Sequence, residues 1–70
     1  MIKVKDIEKI KILTFGFIYI IGILYNNGTT ENFSFNALEN DGIEKLTGLE
    51  EFIQVNKLEE KLVFLKRGNI

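Results

Sequence analysis

A chain of 70 residues supports one domain (1–70), small enough to bury only about 60 % of its unfolded surface. It has neither Cys nor His, which excludes disulfides, thiolate and imidazole metal sites, the commonest catalytic base and the best nucleophile. The net charge of −1 argues against a chain that simply coats nucleic acid.

The first eleven residues carry Lys3, Lys5, Lys9 and Lys11 against Asp6 and Glu8. Two acids in that segment, and no small-x-small site beyond the apolar run that follows, do not fit a secretory leader. With no Cys as well, a cytoplasmic protein is expected. Lys9-Ile10-Lys11-Ile12 alternates and predicts a first strand, with Gly16 permitting a turn before Phe17. The apolar part, Ile12–Tyr25, is fourteen residues. A membrane-spanning helix needs about 20. Ile, Phe and Tyr dominate the run and Gly16 and Gly22 break it, so it predicts β-structure and no membrane anchor.

Asn27-Gly28 between β-rich segments is a hairpin signal, because both central positions of a type I′ turn need positive φ. A two-residue turn there sets Tyr25 opposite Thr30, Ile23 opposite Asn32 and Ile20 opposite Phe35. In that register Ile18, Ile20, Gly22 and Leu24 share a core face with Phe33 and Phe35. The other face mixes Tyr19, Ile21, Ile23 and Tyr25 with Thr30, Asn32 and Ser34. The first of these strands is apolar on both sides, as a central strand is.

Downstream, Glu39-Asn40-Asp41-Gly42 is a loop signal, Asp41 is placed to cap a short helix over Ile43–Thr47, and Gly48 is placed to end it. Beyond that, two readings stand. Leu46, Leu49, Ile53, Leu58, Leu62 and Leu65 fit helical spacing, with a slight lean that way. The alternative is a hairpin of Ile53–Lys57 and Lys61–Leu65.

Tyr19-Ile20-Ile21, Tyr25-Asn26-Asn27-Gly28, Thr29–Phe35, Ala37-Leu38, Leu46, Leu49-Glu50-Glu51-Phe52-Ile53-Gln54-Val55 and the closing Lys61–Ile70 follow a recognisable order. In order and spacing, over about residues 8–70, the chain resembles the small bacterial family called domain of unknown function 2442. That family typically has an aromatic strand, a polar turn ending in Gly, a second strand, a Leu-rich loop, a "D-P-x-x-F-x-x-V" segment and a Trp strand with an "N-G" end. Here Phe64 stands where Trp is usual, Leu65-Lys66-Arg67 replaces a Pro-Asn lead into Gly68, Ser34 replaces a common Asp and Asn69 a frequent acid. The resemblance implies an α+β fold with an antiparallel sheet: three N-terminal strands, a short helical segment, then a C-terminal two-stranded hairpin of Gln54–Lys57 and Leu62–Leu65, which sets aside the helical lean. Family members often neighbour genes of domain of unknown function 4160, which implies a toxin–antitoxin pair with this family as the neutralising partner.

The residues offer no catalytic constellation, so no enzyme, cofactor or metal is expected. Ser34 has no base near it in sequence, and Glu50-Glu51 and Glu59-Glu60 are adjacent acids that point apart. The expected function is a non-catalytic protein-binding module, using Tyr19, Ile21, Ile23 and Tyr25 as an apolar face toward a protein partner or a second copy. A short helical segment over 43–53 folding back on that face is the alternative. Eight acids against Lys45 and Lys57 give residues 31–60 a net of −6, which suits a basic partner. A second reading is a nucleic-acid-associated regulator using Lys9, Lys11, Lys66 and Arg67, with Tyr19 or Tyr25 stacking on a base. A third is a phage-type inhibitor of a host enzyme.

Overall fold

Lys9-Ile10-Lys11-Ile12 lies inside β1, Ile7–Phe15, in the computed structural model, which describes residues 3–66 and, for Lys66, the backbone. A short 3₁₀ turn, Val4–Asp6, leads into it. The pairing register shifts between Ile7 and Lys9, so Glu8 is an extra residue in the strand. That bulge resets the alternation, and Ile7, Ile10 and Ile12 are all buried although the first two are three apart.

The apolar run is a hairpin. Phe15 pairs with Ile18, and Gly16-Phe17 forms the two-residue loop with Gly16 at φ 63. A glycine in the first central position is what type II′ loops use. β2, Ile18–Tyr25, returns antiparallel to β1, and β3, Thr30–Asn36, returns antiparallel to β2.

The β2–β3 register differs by one residue from the expected one. Tyr19 faces Phe35, Ile21 faces Phe33 and Leu24 faces Thr30. The turn explains the slip. The Gly28 N–H donates to the Tyr25 carbonyl at 2.9 Å, the Tyr25 N–H donates to the Thr29 carbonyl at 2.9 Å, and Gly28 holds φ 90. The loop therefore has three residues, with Gly28 as the left-handed bulge residue that follows a tight turn. Asn27 is not in the positive-φ region, so the type I′ expectation is corrected. A one-residue slip exchanges the faces of a strand. Phe33 and Phe35 thus join Tyr19, Ile21 and Ile23, and the expected core of Ile18, Ile20, Gly22 and Leu24 is the other side of the sheet.

The helix α1 spans Gly42–Val55, longer than the capped segment expected to stop at Gly48. A mid-helix glycine costs about 1 kcal/mol. Leu49, Phe52 and Ile53, which pack on the sheet, outweigh it. At its start, a Cβ on Gly42 would run into the carbonyls of Asn36 and Ala37, so only glycine lets the helix press against the end of β3. Asp41 stands at the N-cap without a capping hydrogen bond; its carboxylate instead lies 3.5 Å from the Lys45 ammonium.

The helix ends in a Schellman arrangement. The Leu58 N–H donates to the Ile53 carbonyl at 2.9 Å and the Lys57 N–H donates to that of Gln54 at 3.2 Å, with Lys57 at φ 55. Leu58 and Ile53 are both buried in the core, the apolar contact that usually accompanies this cap.

A 3₁₀ turn, Glu59–Lys61, leads into β4, Leu62–Lys66, which pairs parallel with β1. The sheet order is β3-β2-β1-β4. The class is α+β, as expected, but the C-terminal hairpin is not formed. Gln54 and Val55 are helical, and the sheet is mixed. Fourteen helical residues span about 21 Å, more than the roughly 14 Å across four strands, so α1 carries the chain from the β3 edge to the β1 side. α1 also runs back from the end of β3, beside Asn36 and Ala37, to the Ile7 end of β1, so β4 begins beside the start of β1 and pairs with it in parallel.

The core lies between α1 and one sheet face. Ile7 and Ile10 are fully buried, with Ile12, Ile21, Ile23, Tyr25, Ile53 and Leu58 around them. Each such aliphatic side chain contributes about 1.5–3 kcal/mol. Among the described residues no helix is long and apolar enough to cross a membrane.

Candidate interaction surface

α1 covers one face of the sheet, and the side chains expected to bind a partner are under it. Ile21 and Ile23 are 3 % exposed and Tyr25 is 8 % exposed. Tyr19 is half-buried and stacks on Phe35. Tyr19, Ile21, Ile23 and Tyr25 are therefore core-facing, and the expectation that they form an open apolar face is corrected. Segment 43–53 folds over them, the alternative already drawn from the sequence. The physical reason is the three-residue turn, which moves both phenylalanines of β3 to this side.

The open face of the sheet carries the complementary set of residues. Register places Leu65 of β4, Leu13 of β1 and Ile20 of β2 side by side in one row. Phe15 and Ile18 form the next row toward the Gly16 turn. Phe15 is 60 % exposed, Leu65 44 %, Ile18 41 % and Ile20 39 %. In the opposite direction the rows change character: Val63, Lys11 and Gly22, then Lys9 and Leu24. β3 borders the face with Thr30, Asn32, Ser34 and Asn36. The surface is an apolar patch at the hairpin end, flanked by two lysines and edged with amides and hydroxyls.

Lys9 and Lys11 are exposed and share this face, as the alternation predicted. The tyrosines proposed to stack beside them lie on the opposite face. The Lys66 side chain and Arg67 lie outside the described residues, as does the closing Gly68–Ile70. Glu44, Glu50, Glu51, Glu59 and Glu60 are exposed on α1 and the turn after it. Charge is thus divided across the thickness of the molecule, acidic on the helix side and basic on the open face.

Among the clefts on the helix side, two adjoin the side chains expected to bind a partner. One, about 380 Å³, is polar and is lined by Lys3, Asp6, Tyr25, Asn26, Asn27, Thr29 and Glu31. In it the Tyr25 hydroxyl donates to the Glu31 carboxylate at 2.5 Å. That hydrogen bond, burial and the negative charge of Glu31 hold the phenol above its ordinary value. The other, about 350 Å³, is apolar and runs between α1 and β3, with Ile21, Ile23, Phe33, Phe35, Leu49 and Phe52 along it and Lys45 at the rim. Sequence reasoning missed both, because each depends on the register. Among the described residues no group of three or more His, Cys, Asp or Glu side chains is gathered for a metal ion.

No family model, curated protein or solved structure matches the chain.

Proposed function

We propose that the chain is a small, non-catalytic protein-binding module that engages its partner through the open face of the sheet. One observation carries this reading: Phe15, Ile18, Ile20 and Leu65 adjoin one another in register on that face and remain 39–60 % exposed. Contiguous apolar surface of this kind marks interaction sites on small soluble domains. Lys9 and Lys11 beside it favour a partner whose own apolar patch is bordered by carboxylates. The resemblance to domain of unknown function 2442 adds the role of the neutralising, antitoxin-like member of a two-protein pair. A phage-type inhibitor of a host enzyme would use the same surface on a different target.

The test is Ile20→Asp, compared with wild type in affinity purification from the native host with quantitative mass spectrometry. A stoichiometric protein held by wild type should fall at least tenfold with Ile20→Asp, while the circular dichroism spectrum and melting temperature stay close to wild type. Equal retention by both chains rejects the open face as the contact.

The shared face of Lys9 and Lys11 favours, as a second reading, a nucleic-acid-associated regulator. Phosphate contacts give affinity that falls steeply with salt. Binding to single-stranded oligonucleotides that does not change with salt rejects it.

A further inference from the structure

β3 is an edge strand with none of the usual guards. Thr30–Asn36 contains no Lys, Arg or Pro, and its pairing with β2 runs without a bulge from one end to the other. Folded proteins normally blunt such edges with charge, Pro or bulges. Its one charged side chain, Glu31, is engaged by the Tyr25 hydroxyl. The opposite edge, β4, is shorter, at five residues against seven, and contains Lys66.

The ladder polarity is also fixed. The Tyr25–Thr29 and Phe17–Ala37 backbone hydrogen bonds show that odd-numbered residues of β3 bond to β2. Alternation then turns the amides of Thr30, Asn32 and Ser34 outward. We infer that β3 pairs antiparallel with β3 of a second copy of this chain, about a two-fold axis at Phe33, to give a continuous eight-stranded sheet.

The sequence is self-complementary in this arrangement. Asn32 meets Ser34 of the second copy and Thr30 meets Asn36, all uncharged and polar. Phe33 meets its own counterpart on the helix side, where it is now 46 % exposed at the rim of the apolar cleft. Glu31 lands opposite Phe35, beside the cleft that Lys45 lines, so its charge approaches an ammonium. No like charges are set opposite one another across the axis, the condition an antiparallel pair needs. This assembly uses a different part of the sheet from the partner surface proposed above and stands independently of it. A seven-residue seam is a small interface, so the dimer forms reversibly with concentration.

Sedimentation equilibrium over a wide concentration range tests the assembly. Wild type should move from 8.1 kDa to twice that mass as concentration rises. Ser34→Pro removes only an outward N–H and should stay monomeric, while Ile20→Asp should dimerise as wild type does. Cysteine pairing tests the register in a chain that has no Cys of its own. Phe33→Cys places two sulfurs across the axis at a non-hydrogen-bonded pair, with Cα atoms about 4.5 Å apart, and should form a disulfide dimer under oxidised glutathione. Ser34→Cys, displaced from its counterpart by two positions, should not. A wild type that stays monomeric throughout, a dimer unaffected by Ser34→Pro, or equal crosslinking of both cysteine variants overturns the proposal.

Discussion

Tyr19 lies flat on Phe35 across the β2–β3 ladder, the ring centroids 5.3 Å apart and the planes within 4° of parallel. The two residues are direct register partners, so the stack and the three-residue Asn26–Gly28 loop specify the same alignment. A double-mutant cycle of Tyr19→Ala and Phe35→Ala should give a coupling of about 0.5–1.5 kcal/mol in urea unfolding. A coupling near zero would mean that the turn alone sets the register.

Two glycines of α1 should respond in opposite directions. Gly42→Ala drives a Cβ into backbone atoms of Asn36 and Ala37, which have no rotamer to change. A cost of about 1–3 kcal/mol follows from overpacking. Gly48 is exposed and has nothing within 4 Å of its Cβ position. Gly48→Ala should stabilise by about 0.5–1 kcal/mol through helix propensity. Thermal melts of the two single variants check the pair.

Lys57 stands at the left-handed position where helices usually end in glycine. Lys57→Gly relieves a backbone cost of about 1–2 kcal/mol and should raise the melting temperature. Lys57→Val, β-branched at the same φ, should lower it. A Lys57→Gly variant that melts below wild type would mean that the side chain, not the backbone, contributes at this position.

The Tyr25 phenol is held above its ordinary value by its hydrogen bond to Glu31, with burial and the charge of Glu31 adding to it. The folded chain therefore keeps that proton to higher pH than the unfolded chain does. The stabilisation is complete below about 10, the value for an unperturbed tyrosine, and is lost as pH climbs through the folded value. Melting temperatures followed from neutral to strongly alkaline pH should fall at the alkaline end, and Tyr25→Phe should flatten that fall. An alkaline fall of the same size in both chains would assign it to other groups.

Much of the architecture was legible in the residues. Alternation located β1, apolar content and a glycine located the first hairpin, and the Asn-Gly pair located the second. The register of that second hairpin was not legible. Type I′ and three-residue loops both favour Asn and Gly, and a choice between them by one residue exchanges every inward side chain for an outward one. The candidate site inherited that ambiguity: Tyr19 and Tyr25 changed places with Ile18 and Ile20. Lys9 and Lys11 kept their shared face because β1 alternates regardless of its partner. The end of α1 was hidden for a different reason. Its stop is a Lys at the position where sequence rules look for Gly, and the Ile53–Leu58 contact that closes it is a tertiary fact. The helical spacing of Leu46, Leu49 and Ile53 agrees with α1, although the resemblance set that reading aside for a hairpin from Gln54; beyond Leu58 the spacing fails, where parallel pairing with β1 overrides helix propensity.

The Lys61 ammonium donates to the Ile7 carbonyl at 2.7 Å, tying the start of β1 to the entry of β4, 54 residues later. During synthesis this has a consequence for the nascent chain. β1, β2 and β3 are made first and form a meander from neighbouring segments, but the outer edge of β1 has no strand beside it until Leu62–Lys66 emerges. At about 5–20 residues per second that interval lasts seconds, a long time for a strand edge lined by Ile10 and Ile12. Lys9 and Lys11 alternate along the same strand, and charges of that kind discourage premature pairing with another chain. The two lysines of the open face thus stand on the strand whose outer edge is the last in the sheet to gain its partner.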